Sequence, residues 1–189
     1  MDVCSIMLSE KIWGSKMAMV VVDPQRKFTL PTDDWDAVSG SAVAGINRFA
    51  RIFRERGIPV FFIHFDGASH VPYPGTDGDE WLKGIETDPS DVVIHKEHMN
   101  CFKQTSLEQE LKSRGFDCIL LAGMLTELCI AGTYYGAIER DIGAYLAKGA
   151  LISYSKEGNP ASEVLCNTVT EKVVETFLDG KQEPFTEFM

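Results

Sequence analysis

Apolar residues follow two patterns along this chain. Short runs, Met17 to Val22 (MAMVVV), Pro59 to Ile63 (PVFFI), Asp91 to Ile94 (DVVI) and Cys118 to Ala122 (CILLA), are four to six residues long. They are too short for lone globular helices and read as strands buried on both faces. Between them, apolar positions recur at helical spacing. Val43, Ile46, Phe49, Ala50 and Phe53 share one face of a helix predicted from about Asp36 to Arg56, with Gly57 as its stop. Thr105 opens the sequence TSLE, which fits a capping box with Glu108 ahead of a short helix whose buried face is Leu107 and Leu111. Ile130, Thr133, Tyr134, Ala137 and Ile138 lie on one face of a further helix that begins at Cys129. After Gly143 the run AYLA suggests a fifth strand. Ser162 to about Phe177 reads as mostly helical, ending in one more short strand around Lys172 to Glu175.

Buried strands alternating with helices imply a parallel sheet covered on both sides. The expectation is one doubly wound α/β domain spanning residues 1–189, with three layers (α/β/α) and a mainly parallel sheet of about six strands. No internal repeat or linker interrupts it. Asp66 to Pro89 is long for a connection without structure of its own, and is expected to be a functional loop over a site.

Charge and cysteine usage narrow the function classes. A net charge of −10 and a pI near 4.8 argue against nucleic acid as a partner, because such binding requires a basic stripe. The five cysteines, Cys4, Cys101, Cys118, Cys129 and Cys166, are odd in number and include no CxxC pair. That suits reduced thiols better than a disulfide framework or a structural zinc site. There is no secretory pattern at the N-terminus and no apolar run near the ~20 residues of a membrane span. A cytoplasmic protein acting on a small molecule, with no membrane partner, is expected.

In such a sheet, ligands bind beyond the carboxyl ends of the strands. The first strand ends at Asp23, the third runs out just before Lys96, and the fourth leads through a turn to Cys129. An acid, a cation and a thiol therefore fall on one edge. Each also fits a plainer role, as a turn cap, a surface cation and a core thiol. A cysteine at a helix start is favoured as a nucleophile, because orphan N–H groups there stabilise a thiolate or an oxyanion.

The blocks VVVDPQRKF (Val20 to Phe28), VVIHKEHMNCFKQTSL (Val92 to Leu107) and LLAGMLTELCIAGT (Leu120 to Thr133) resemble, in order, the three motif blocks of the isochorismatase-like cysteine hydrolases. The resemblance implies a catalytic triad of Asp23, Lys96 and Cys129. It implies a cis peptide between Met124 and Leu125, with the backbone N–H groups of Leu125 and Cys129 as oxyanion hole. It also implies a homo-oligomer, dimer or tetramer, and no cofactor. Family members that cleave isochorismate, a vinyl ether, use the acid alone and tend to lack the cysteine, so Cys129 favours hydrolysis of an amide or ureido C–N bond. The alternatives are a vinyl-ether hydrolase with Asp23 as acid, or a binding protein with a degenerate pocket.

Nicotinamidase-type members of that family carry a metal at an Asp-x-His element after the second strand. Here the stretch is HFDGASH, so His64, Asp66 and His70 stand in a different arrangement, and no metal is assigned. His95 and His98 flank Lys96 as surface or supporting groups. Gln25, Phe28, Trp81 and Tyr134 are candidate substrate contacts, since an apolar wall beside a polar reacting centre suits a small ligand. The family's Asp-Ala after the fifth strand is replaced by Lys148-Gly149-Ala150, which leaves the pocket wall there undefined.

Overall fold

The computed structural model describes residues 15–29, 35–68, 73 and 75–180. The strands β1 (Met17–Val22), β2 (Val60–Phe65), β3 (Val92–Lys96), β4 (Cys118–Met124), β5 (Gly143–Ile152) and β6 (Thr168–Val169) form one sheet. Their order is β3-β2-β1-β4-β5-β6, and every neighbouring pair is parallel. Five α-helices are present among the described residues: α1 (Trp35–Arg54), α2 (Leu107–Ser113), α3 (Ala131–Ile138), α4 (Gly158–Leu165) and α5 (Glu171–Leu178). The doubly wound α/β/α architecture expected from the apolar pattern is the one observed.

The period-two alternation of strands sorts the core into two layers. Ala18, Val20 and Val22 of β1 face Leu107 and Leu111 of α2 and Ile130, Tyr134 and Ala137 of the β4–α3 segment. Met17, Met19 and Val21 face Ile46, Phe49, Ala50 and Phe53 of α1, with Val174 of α5. Every residue of β1 is buried, as a strand covered on both faces requires.

Several boundaries differ from the expectation. β2 runs on through His64 and Phe65, and β3 includes Lys96, because both strands continue pairing to Phe65↔Lys96. β5 extends well past AYLA; its register with β4 shifts between Leu121 and Gly123, a bulge that carries the exposed Lys148 and Gly149. The Ser162 to Phe177 region is two helices around the two-residue β6, and Lys172 to Glu175 is helical rather than extended. Thr170 is the extended residue before α5, and it separates them. The capping box does not form: Ser106 holds the N-cap position without a side-chain bond, while the Thr105 hydroxyl donates to the Cys101 carbonyl.

The long loop after β2 is tied down over its described part. Arg26 and Lys27 N–H groups donate to Glu80 and Gly78 carbonyls, and Leu82 N–H donates to Pro24 at 2.7 Å. Trp81 bridges to Gln25. The loop thereby buttresses the turn that follows β1.

α1 packs tightly against β5 at Gly45, where a Cβ would meet the Gly149 carbonyl oxygen at 2.2 Å. Gly45→Ala should therefore destabilise by about 2 kcal/mol and lower Tm by roughly 4–8 °C, despite alanine's better helix propensity. Gly40, on the same helix with nothing within 4 Å of a built Cβ, is the control. Gly40→Ala should gain up to ~1 kcal/mol. Thermal unfolding of the pair checks both signs.

Candidate active site

The sheet order reverses direction between β1 and β4, and their carboxyl ends lie side by side at Val22↔Gly123. That is the switch point where open α/β sheets form a crevice. Gly123 has a φ of 106°, and a Cβ there would come within 2.3 Å of the Val22 carbonyl oxygen. Only glycine permits the two strand ends this approach.

Asp23 leaves β1 with a φ of 48°, in the left-handed region. Aspartate tolerates this better than most residues, although a following proline ordinarily pushes its neighbour towards extended backbone. Gln25 N–H donates to the Asp23 carbonyl at 2.7 Å, folding the chain tightly over Pro24. The Asp23 carboxylate is thus turned inward, with the residue only 1% exposed.

Lys96 reaches it from β3, two strands away, a gap of ~10 Å. Its Nζ crosses Phe65, 5.5 Å from the ring centroid, and stops 2.7 Å from Asp23 Oδ2. It also donates to the Met99 carbonyl at 3.0 Å. Lys96 and the Cys129 thiol both bear on this carboxylate, Lys96 as a close charge pair, and neither meets it in a well-aligned hydrogen bond. A buried carboxylate so placed keeps acceptor capacity facing the thiol.

Cys129 lies in a π-helical turn, Thr126–Ile130, which precedes α3. It is therefore not the first residue of an ordinary α-helix. A cis peptide joins Met124 to Leu125 immediately before this turn. Leu128 and Ile130 N–H groups both donate to the Leu125 carbonyl at 3.1 Å, closing the loop. Thr126 Oγ1 donates to the Ile152 carbonyl at 3.1 Å and anchors it to β5.

The electrostatics of the three groups are coupled. Burial pushes the Asp23 carboxyl above the usual carboxylate range, against the pull of Lys96. The Cys129 thiol is pushed up to about 12, first by burial and then by the Asp23 carboxylate, with Lys96 acting the other way. Burial alone would lower Lys96, but the acidic groups around it, Cys101, Asp23 and Cys129, hold it above its ordinary value. Cys101, which sequence reasoning passed over, is a second thiol at the lysine; burial pushes it up to about 11.

The acid and the first thiol open onto a cavity of about 240 Å³. Asp23 and Cys129 line it, with Leu125 and Phe28. Phe28 is pinned from behind by Tyr154, whose hydroxyl donates to its carbonyl at 2.9 Å. The other candidate contacts lie elsewhere. Gln25 is fully buried and holds β2, accepting from Phe65 N–H at 2.8 Å and contacting His64 Nε2 at 3.0 Å. Trp81 packs on Phe62 and His64. Tyr134 is in the core, where its hydroxyl accepts from Asn167 N–H at 3.0 Å. Phe65, Glu97, His98, Met99, Met124 and Leu128 line the cavity instead. Most of them adjoin Lys96 or Cys129 in sequence, which is the signal that could have found them.

His64, Asp66 and His95 come together, with one ligand-type atom each within 4.8 Å of the others. His95 is the third member among the described residues; His70 lies outside them. Two imidazoles and a carboxylate are a donor set that suits a divalent ion such as zinc. The same atoms also satisfy one another, Asp66 Oδ1 lying 2.6 Å from His64 Nδ1 and 2.9 Å from His95 Nδ1. The two histidines hold the Asp66 carboxyl below its usual range, His95 more strongly.

A family model, the Isochorismatase domain, matches residues 17–176. The isochorismatase family protein YddQ of Bacillus subtilis is 30% identical over 90 residues, 46% of this chain and 50% of that protein, so the match spans half of its length. A ureidoacrylate amidohydrolase, RutB of Pseudomonas syringae pv. syringae, is 25% identical over 169 residues, 66% of this chain and 69% of its own. Among solved structures, N-carbamoylsarcosine amidase from Thermoplasma acidophilum superposes with a TM-score of 0.68 at 21% identity, covering 82% of this chain and 95% of that one.

The coupling of thiol and carboxylate has a measurable sign. A carboxylate beside a thiol disfavours the thiolate, and an unpaired lysine favours it. Asp23→Asn should therefore move the midpoint of Cys129 alkylation down from about 12 by one unit or more. Iodoacetamide labelling against pH, read at Cys129 by mass spectrometry, checks it; an unchanged or raised midpoint would show that Asp23 does not face the thiol.

Proposed function

The chain belongs to the isochorismatase family and is a hydrolase of that family; we propose that it cleaves a small amide or ureido C–N bond, with Cys129, Asp23 and Lys96 as its catalytic triad. The observation that carries this reading is the buried Asp23 carboxylate, charge-paired with Lys96 yet without an aligned hydrogen-bond partner, on the same cavity as Cys129. A vinyl-ether hydrolase has use for the acid but none for the thiol.

The steps follow from the parts. Asp23 takes the Cys129 proton as sulfur attacks the carbonyl carbon, so the thiolate is formed only in the act of bonding. Lys96 keeps the site from carrying uncompensated negative charge. The tetrahedral oxygen is held by Leu125 and Cys129 N–H groups, each such donor being worth ~3–4 kcal/mol in the barrier. Asp23 then gives its proton to the departing nitrogen, and the C–N bond breaks to leave a thioester. Water, deprotonated by Asp23, attacks the thioester, and the sulfur leaves and recovers its proton. The net change is amide plus water to acid plus amine. His64, Asp66 and His95 would hold a divalent ion if the protein takes one, supplying positive charge beside β2 and β3, and no step passes through it.

The cavity is smaller than the ~300–1,000 Å³ of sites for drug-sized ligands, which suits a compact substrate. Cys129→Ala should lower turnover of a competent amide at least about a thousandfold, and Asp23→Asn by a comparable factor. Full activity in Cys129→Ala would transfer the reaction to Asp23 alone and favour vinyl-ether chemistry. Dialysis against a chelator should leave turnover at the untreated level; a loss restored by zinc would bring His64, Asp66 and His95 into the mechanism.

A further inference from the structure

Six apolar side chains, Phe28, Phe65, Met99, Met124, Leu125 and Leu128, make most of the cavity wall. A carboxylate entering such a wall loses hydration and requires arginine, lysine or aligned N–H groups in return. The cations nearby are already engaged. Lys96 is held by Asp23 and the Met99 carbonyl. Lys27 is held by the carbonyls of Phe65 and Gly67 and by Asp79 at 2.6 Å. Arg26 is bound to Asp77, Glu80 and the Trp81 carbonyl. None of the three is among the residues that line the cavity. The internal segments outside the described residues, 30–34, 69–72 and 74, contain no lysine or arginine in the sequence.

Acidic groups do line it. Asp23 is buried within, and Glu97 stands exposed at the mouth. His98, beside Glu97, has its Nε2 2.5 Å from Gln104 Oε1, so that nitrogen faces its own loop.

The geometry points to a substrate that is neutral or cationic away from its scissile carbonyl, with Glu97 selecting positive over negative charge. Carboxylate-bearing amides and ureido acids are disfavoured. The word substrate rests on the hydrolase reading above, but the charge preference belongs to the cavity and can be measured without turnover.

Two methanethiosulfonates of matched size, one bearing a trimethylammonium group and one a sulfonate, read that preference at Cys129 by mass spectrometry. Cys166, half-buried and away from the cavity lining, reports the background field of the acidic chain. The cationic reagent should modify Cys129 about tenfold faster than the anionic one, beyond the ratio seen at Cys166. Glu97→Gln should reduce that ratio several-fold, and Glu97→Lys should invert it. Equal rates at Cys129, or a ratio unmoved by Glu97→Lys, would overturn the inference. In parallel, amides with ammonium, neutral and carboxylate tails should show kcat/KM at least about tenfold lower for the carboxylate. Charge-selective labelling with no turnover of any amide would sink the hydrolase reading and leave the cavity's preference intact. Turnover of the carboxylate amide at the rate of the others, with unselective labelling, would do the reverse.

Discussion

The structure depends on one buried charge pair. Asp23 and Lys96 have side chains 1% and 0% exposed, and ions so placed are tolerated only together. Removing one partner of such a pair typically costs ~3–5 kcal/mol, a large share of the ~5–15 kcal/mol that holds a domain folded. An apolar pair of similar volume would be as stable or more so. The pair therefore adds nothing to stability that apolar packing would not, and the surrounding elements are arranged to hold it inside a hydrophobic sheet. β2 lies between its two members, so Lys96 must pass over Phe65 to reach Asp23.

Behind the pair stands a network of backbone and side-chain bonds with no part in the reaction. From β1's turn Gln25 accepts from the Phe65 N–H and donates to its carbonyl, Lys27 donates to the same carbonyl, and the 78–82 stretch closes over both. Phe65 thus has its ring on the cavity and its main chain fixed from two sides. Tyr154 does the same for Phe28 from beyond β5. The cavity wall is rigid because the turns that carry it are bonded to one another, which suits pre-organised electrostatic catalysis.

Much of this was legible in the sequence because buried parallel strands leave a plain trace. MAMVVV, DVVI and CILLA are such runs, and their carboxyl ends carry Asp23, the approach to Lys96, and the turn to Cys129. What local pattern could not reveal was set by pairing at a distance. Two-residue β6 exists because Leu146 and Ala147 offer it partners, and β5 continues past Lys148 because it bulges there and regains its pairing with β4 at Gly123↔Leu151. Gln25 and Tyr134 have the chemistry of ligand contacts, yet both are claimed by the protein's own backbone. His95 looked like a surface group until β2 and β3 were set in register, which brings it opposite His64.

The raised Cys129 thiol has a consequence for survival as well as for catalysis. Oxidation to sulfenic acid and beyond proceeds from the thiolate. A cysteine in an unfolded chain, with a pKa of ~8.5, is a few per cent thiolate at neutral pH. In the folded chain, burial and the Asp23 carboxylate hold Cys129 in its protonated form. Folding therefore shelters this thiol from peroxide by keeping its reactive form scarce. In the proposed reaction that shelter opens only when an electrophilic carbon arrives at the sulfur.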